Sequence, residues 1–441
     1  MVLKIFDLSL KLNGFPIVEA KAYLSQILAV REEDYGKFLD EKKSDIVDFH
    51  LKNNKFYKEF VGKTDFENWT ELPIMKKIDF QMSLDDRLSD GYKRKNVFIN
   101  KTSGSSGDPF VFAKDKFCHA LIWANIMRRW GWYGIDFNHS LQARFYGMPL
   151  DFVANAKLRL KDFLSNRYRF TIFDFSDVAM AEMLRVFSKK KFDYINGYTS
   201  NIVLLAKYLK KKNQVLTGIC PTLKVCIVTS EMLFPEDRIL LEQYLGIPVV
   251  NEYGSAELDI MAFESPDGIW KANAETLFIE IVDDNDNVLP NGQEGRIIVT
   301  SLYNKAQPMI RYEVGDSGIL DKKSTAKNPI LKKLTGRTND VAVLPSGKLS
   351  PGMTFYSITK KLFADEGNVK EFVIIQTKKD TFEIHYTSSV ALNSQEIETM
   401  KTVFSDYLEP GLHLVFNRKE KLERGKSGKL KQFVSLVKQE I

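Results

Sequence analysis

From Phe192 onward the chain runs twice through one pattern and begins it a third time: a short apolar run, a polar cluster, then an amphipathic stretch. Phe192 to Ile195 leads into Asn196-Gly197-Tyr198-Thr199-Ser200, and a helix follows with Leu204, Leu205, Tyr208 and Leu209 on one face. Leu223 to Val228 ends at Thr229-Ser230-Glu231, and Pro235 opens a helix to Leu245, where its missing N–H costs nothing. Pro248 to Asn251 ends at Glu252-Tyr253-Gly254-Ser255-Ala256-Glu257. Strand–helix units of this size predict a parallel, doubly wound sheet. In such sheets ligands sit at the C-terminal ends of the strands, and all three polar clusters fall there.

The flanking regions differ in texture. Residues 1–90 read as a mainly helical N-terminal region and 91–275 as the α/β core. Residues 276–336 read as a β-rich subdomain, which completes a large domain over 1–336. Residues 337–441 read as a small α+β domain with a basic tail, Arg424 to Lys429. The fold expected is therefore α/β, a large domain followed by a small one.

Composition narrows the functional classes. Apolar content of 44% and charged content of 27% are those of an ordinary globular chain. The formal charge of +6 over 441 residues permits an anionic ligand without demanding one. No basic stripe interleaved with aromatics precedes the tail, so nucleic acid is not expected as a partner. Three cysteines, Cys118, Cys220 and Cys226, are too few and too scattered for a disulfide framework, and no C-x-x-C pair supports zinc. Met1 to Asp7 turns polar too early for a signal peptide, and no apolar run reaches the roughly 18 residues of a membrane span. A cytoplasmic protein without a transmembrane segment is the expectation.

The residues with chemistry are individually ambiguous. Thr102-Ser103-Gly104-Ser105-Ser106-Gly107-Asp108-Pro109 lies between two short strands. Small hydroxyl residues and glycine let N–H and O–H groups converge on a phosphate, although the same composition makes surface linkers. It is not a Walker loop, since Gly-Lys-Ser/Thr is missing and a strand follows. Tyr253 beside Gly254 and Glu257 suits base stacking and a divalent ion, or an ordinary loop. Asp316 after Gly315 suits a ribose, or a simple turn. Arg337 suits a phosphate or a surface ion pair. Lys429 suits charge stabilisation in a displacement, or a solvated tail. Tyr146, Tyr198 and the aromatic helix around Trp123 suit an acyl pocket, or core.

Their order is more specific than any of them. Thr102–Pro109, Tyr253–Glu257, Tyr312–Asp316, Gly336–Asp340 and Ser427–Lys429 together resemble the signature series of the acyl-adenylate-forming superfamily. Leu72-Pro73-Ile74-Met75-Lys76 is similar to the phenylacetate–CoA ligase branch, and Thr229–Leu233 with Tyr253–Glu257 to its capsular-polysaccharide relatives. The resemblance runs from about residue 72 to the end. It implies that Thr102, Ser103, Gly104, Ser105, Ser106 and Gly107 grip the ATP phosphates. It implies that Ser230, Glu231, Tyr253, Gly254, Asp316 and Arg337 surround adenine and ribose, and that Glu257 holds Mg2+. Lys429 is the implied catalytic lysine, and Asn339 the implied hinge of a mobile C-terminal domain.

Three positions depart from the family pattern. Ala256 replaces a threonine, and whether Ser255 substitutes stays open. Phe110 stands where the superfamily often has a lysine, one that the phenylacetate-like branch commonly lacks, and Asn339 replaces a charged hinge residue. The activity implied is ATP-dependent activation of a carboxylic acid, followed by transfer to coenzyme A or an amine, in surface polysaccharide synthesis on the capsule resemblance. A nucleotide-binding scaffold without turnover is the alternative that the departures leave open.

Overall fold

The computed structural model describes residues 5–63, 66–102, 110–146, 158–159, 161–163, 165–171, 176–337, 341–351, 355, 369–423, 430 and 432–437. The chain divides into two units, residues 1–314 with 319–333, and residues 315–318 with 334–441.

The first unit opens with four helices, α1 (Ile5–Leu12), α2 (Ile17–Ala29), α3 (Glu32–Asn53) and α4 (Lys55–Val61), and a short α5 (Leu84–Arg87). In α2 the residues Ile17, Ala20, Leu24 and Ile27 recur at helical spacing and are buried, which fixes its inward face. Next comes an antiparallel hairpin, β1 (Val97–Lys101) and β2 (Val111–Asp115). Asp115 ends β2 and caps α6 (Lys116–Gly131), its carboxylate accepting from Cys118 N–H at 2.9 Å.

The main sheet is built from β3 (Gln142–Phe145), β4 (Arg167–Phe170), β5 (Tyr194–Tyr198), β6 (Val225–Thr229), β7 (Val249–Ser255), β8 (Asp259–Glu264) and β9 (Trp270–Ala272). Their order is β4-β3-β5-β6-β7-β8-β9. Strands β3 to β7 are parallel, whereas β8 and β9 run antiparallel at one edge, so the sheet is mixed. The crossovers carry α7 (Asp177–Lys189), α8 (Thr199–Lys211), α9 (Leu216–Ile219) and α10 (Pro235–Leu245).

Strand β6 shows why both faces are covered. Val225 and Ile227 join a core with Leu24, Leu121, Trp130 and Phe263, while Cys226 and Val228 join another with Phe145, Phe187, Leu205 and Leu241. Alternation of side chains along a strand sends neighbours to opposite layers. The α/β expectation from the repeated units is therefore met.

Two strands run further than the sequence pattern predicts. Asn196–Tyr198 and Glu252–Ser255, expected as loops, continue β5 and β7. The glycines that resemble turn residues are instead close-approach points. A Cβ at Gly197 would collide with Phe145 on β3, and one at Gly254 with the Asp259 carbonyl.

A four-stranded sheet follows, in the order β10-β11-β12-β13: β10 (Leu277–Val282), β11 (Glu294–Ser301), β12 (Tyr312–Leu320) and β13 (Leu331–Arg337). Asp316, expected in a turn, lies inside β12. Gly315 before it has φ +84°, but the strand continues past that kink.

The second unit contains the hairpin β14 (Val341–Val343) and β15 (Leu349–Pro351). Its main sheet has β16 (Val369–Lys378), β17 (Thr381–Ser388), β18 (His413–Arg418) and β19 (Phe433–Ser435), in the order β18-β17-β16-β19. Helix α11 (Ser394–Tyr407) starts with a capping box between Asn393 and Glu396, and buries Met400 and Phe404 in a core that includes Phe382 and Ile384.

Candidate active site

The stem of the Ser/Gly loop is closed by one residue pair. Thr102 N–H donates to the Phe110 carbonyl at 2.9 Å, and Phe110 N–H donates to Thr102 Oγ1 at 3.0 Å. Residues Ser103 to Gly107, expected to grip phosphate, lie outside the described residues. Phe110 is only 2% exposed. Its ring lies 5.0 Å from Phe80 and 6.4 Å from Tyr312, with the Arg87 guanidinium 5.3 Å away. The position is held by aromatic and cation–π packing.

Tyr312 links that stem to the end of β7. Its hydroxyl donates to Glu257 Oε1 at 3.2 Å, and Glu257 is 8% exposed. The preceding turn is held at several points. Ser255 Oγ accepts from Leu258 N–H at 3.2 Å, while Ala256 is exposed. Lys114 of β2, 2% exposed, donates to the Ala256 carbonyl at 3.3 Å and pairs with Asp259, whose φ is +62°. Tyr253 lies on β7 with its ring 6.2 Å from Trp270.

A Mg2+ ion in a nucleotide site takes one or two carboxylates and completes its shell with phosphates and water. Glu257 fits that single-carboxylate role, since Asp259 is committed to Lys114. No group of three or more potential metal ligands occurs among the described residues.

The end of β6 meets the start of α8. Ser230 adopts a left-handed φ of +68°. Glu231 Oε2 accepts from Ser200 N–H at 2.7 Å, and its carbonyl accepts from Thr199 Oγ1 at 3.2 Å. Its carboxylate thus sits on the first turn of the helix, where a negative charge is favoured. Beside it the rings of Tyr146 and Tyr198 are 4.8 Å apart, and the Arg144 guanidinium lies 4.0 Å from the Tyr146 ring. Trp123, in contrast, packs on Phe6 and Phe137 in the core.

The structure therefore brings together Thr102, Tyr253, Gly254 and Glu257 through Lys114 and Tyr312, and Tyr198 with Tyr146 and Glu231. Asp316 and Arg337 belong to the second unit, and Asn339 and Lys429 lie outside the described residues.

Several residues carry no motif signal. Glu252 faces the same side of the sheet as Thr229 and accepts from Trp130 Nε1 at 2.9 Å. Burial pushes its carboxyl up to about 7, against the opposing effects of the Trp130 and Thr229 hydrogen bonds and the Arg144 charge. Lys114, Arg144 and Arg167 lie at alternate strand positions, a pattern that ordinarily marks an exposed polar face. Burial of such positions would be the only signal, and it is not visible in one sequence.

No family model matches the chain. It is 25% identical over 343 residues to protein CapK of Staphylococcus aureus, covering 73% of this chain and 72% of that one. It is 27% identical over 197 residues to a phenylacetate–coenzyme A ligase of Pseudomonas putida, covering 43% of this chain and 41% of the ligase, less than half its length. Among solved structures it is similar to 2-hydroxyisobutyryl-CoA ligase in the postadenylation state with R3-HIB-AMP. The TM-score is 0.69 at 18% identity, over 92% of this chain and 89% of that one. The resemblance to the acyl-adenylate-forming superfamily, and within it to the phenylacetate-type branch and its capsule relatives, is borne out by these likenesses. The fold is that of an adenylate-forming ligase. Among the described residues no helix is long and apolar enough to cross a membrane.

Proposed function

We propose, on the premise of that fold and those relatives, that the chain is an ATP-dependent ligase that converts a carboxylic acid into an acyl-adenylate and then transfers the acyl group to coenzyme A or an amine. The observation that carries this is the continuous link from the Thr102–Phe110 stem through Tyr312 to Glu257, with Lys114 fixing the intervening turn. It sets a phosphate-loop stem beside a lone buried carboxylate at the end of a central strand. A linker with a chance Ser/Gly composition needs no such arrangement.

In the first half-reaction a carboxylate oxygen of the acid attacks the α-phosphorus, the bond from that phosphorus to the bridging oxygen breaks, and pyrophosphate leaves. Such transfer depends on alignment and charge stabilisation more than on covalent help. N–H and O–H groups of Ser103 to Gly107, with the Thr102 hydroxyl, hold the phosphates. Tyr253 and Gly254 face adenine, with Ser230 and the Glu231 segment beside them. Asp316 accepts from the ribose hydroxyls, and Arg337 contacts the nucleotide. Glu257 would hold Mg2+, which neutralises phosphate charge when bound. Lys429 bridges the carboxylate and the α-phosphate. In the second half-reaction the small domain turns about Asn339, a junction residue of the kind that absorbs such rotation.

ATP as co-substrate and three buried free cysteines are consistent with action in the cytoplasm. The likeness to CapK favours a role in surface polysaccharide synthesis and keeps an amine acceptor beside coenzyme A. Pyrophosphate exchange across aryl, fatty, amino and uronic acids, each repeated with coenzyme A and with amino sugars, tests the whole. Exchange with at least one acid is expected. ATP binding without exchange for any acid overturns it in favour of a scaffold without turnover. The specific observation on that side is Ala256, which is exposed in the turn where relatives carry a threonine hydroxyl.

A further inference from the structure

The parallel register of β3 and β4 places three guanidiniums on one face. Arg144 is the partner of Arg169, and Gln142 the partner of Arg167, so Arg144, Arg167 and Arg169 all point the same way. Adjacent strands lie about 4.8 Å apart, so these charges crowd one another. Arg169 is neutralised: its Nε and Nη2 form a two-point pair with Asp162 at 2.7 and 3.1 Å. Among the described residues Arg144 and Arg167 have no such two-point partner, although the Arg167 guanidinium lies 5.9 Å from the Phe6 ring and feels the Asp162 charge. Among the described residues neither forms an ion pair, and the Nε atoms of both are buried with no hydrogen-bond acceptor. Arg144 has only the Gln142 amide oxygen, at 3.3 Å, and the face of Tyr146.

The crowding has electrostatic consequences. Burial, reinforced by Arg144, pulls the Arg167 guanidinium down to about 10, and Lys161 is lowered by burial and by Arg167 and Arg144. Glu252 offsets the excess only in part: Arg144 attracts its carboxylate, but the carboxyl is also held by Trp130 and burial raises it to about 7. Guanidinium stays charged in proteins, so a half-buried pair whose Nε atoms are buried without acceptors suits an anionic group.

We propose that Arg144 and Arg167 form an anion subsite that holds a second carboxylate on the acid to be activated, so that the substrate class is dicarboxylic. This rests on the adenylating function proposed above. Planar forks match carboxylates through paired N–H donors. A double guanidinium clamp on the reacting carboxylate would withdraw its electron density, so the clamp belongs to the far end of the substrate. The Tyr146 ring lies directly on Arg144 and adjoins Tyr198, which sets an aromatic wall beside the charge.

The test compares matched acids, hexanoate with adipate and benzoate with isophthalate, in pyrophosphate exchange. Calorimetry of isophthalate binding without ATP runs in parallel, on wild type, Arg144→Gln, Arg144→Lys and Arg167→Gln. The dicarboxylates are expected to exceed their partners at least tenfold in kcat/KM for wild type. Arg144→Gln should bring that ratio close to one, Arg144→Lys should restore part of it, and isophthalate binding should weaken tenfold or more in both glutamine variants. Equal use of mono- and dicarboxylates by wild type overturns the subsite and leaves the adenylating function standing. If no acid supports exchange, the adenylating function falls, and calorimetry alone decides the subsite. Binding that weakens in both glutamine variants keeps it, and wild-type binding that is absent or insensitive to them overturns it. Circular dichroism of each variant separates loss of the site from loss of the fold.

Discussion

The Tyr312 hydroxyl donates to the Glu257 carboxylate at 3.2 Å, joining the first residue of β12 to the turn that ends β7. Glu257 is buried, so an oxygen deprived of that donor is left without compensation. Tyr312→Phe keeps the ring against Phe110 and removes only the donor. It should cost about 1–3 kcal/mol in urea denaturation, the range for an orphaned buried acceptor. It should also raise the Mg2+ concentration needed for half-maximal exchange. An unchanged denaturation midpoint would show that the hydroxyl is dispensable.

Lys114 spans from β2 to the Ala256 carbonyl and the Asp259 carboxylate. Lys114→Met leaves Asp259 unpaired beside a left-handed backbone position. The expected loss is about 3 kcal/mol, at the low end for broken buried pairs, since Asp259 keeps some contact with water. Adding Asp259→Asn should recover part of that loss, because asparagine tolerates the positive φ and carries no charge to strand. A double-mutant cycle by chemical denaturation measures this, and strictly additive losses would rule out the coupling.

Much of the architecture was legible because periodicity is a local signal. The apolar runs before Asn196, Thr229 and Glu252 mark buried parallel strands, and their polar ends mark the ligand edge. What escaped was set by partners distant in the chain. Gly197 and Gly254 resemble turn residues, yet each admits a neighbouring backbone, Phe145 or Asp259, against a continuing strand. Gly315 misled in the same way about Asp316. Lys114, Arg144 and Arg167 resemble solvent-facing residues in alternating strands, and only the cover of other elements buries Lys114 and half-buries the two arginines. Glu231 resembles a ligand by its place at a strand end, but one of its oxygens is occupied by the first turn of α8.

Glu252 makes stability depend on pH. Its carboxyl rises from 4.5 to about 7 in the folded chain. Between those values the folded state holds a proton that the unfolded state has released. Stability therefore falls as pH rises through that window, and the full cost is present above it. Glu252→Gln keeps an acceptor for Trp130 and removes the charge. At pH 8 it should be more stable than wild type by on the order of 2–3 kcal/mol, with the difference vanishing below about pH 4.5. Urea denaturation at several pH values checks this, and parallel pH profiles for the two proteins would contradict it.

The last prediction follows from where positive charge is absent. The residue after the Ser/Gly loop is Phe110, an uncharged side chain whose ring is sealed between Phe80 and Tyr312. The two nearby cations are already committed. Lys114 is tied to Asp259 and Ala256, and Arg87 lies against Phe110 with Nη2 on the Val111 carbonyl at 2.9 Å. Neither can follow charge as it moves from the attacked phosphorus to pyrophosphate without breaking a buried contact. On the proposed mechanism the displacement needs a further cation, and Lys429 is the residue whose motif fits. Lys429→Ala should lower pyrophosphate exchange by on the order of 10²–10³, the loss typical of a donor that acts mainly in the transition state. ATP affinity, measured by calorimetry, should change little, because the phosphate and adenine contacts proposed above do not involve Lys429. Exchange at the wild-type rate would remove Lys429 from the mechanism. A parallel loss of ATP affinity would assign it to ground-state binding.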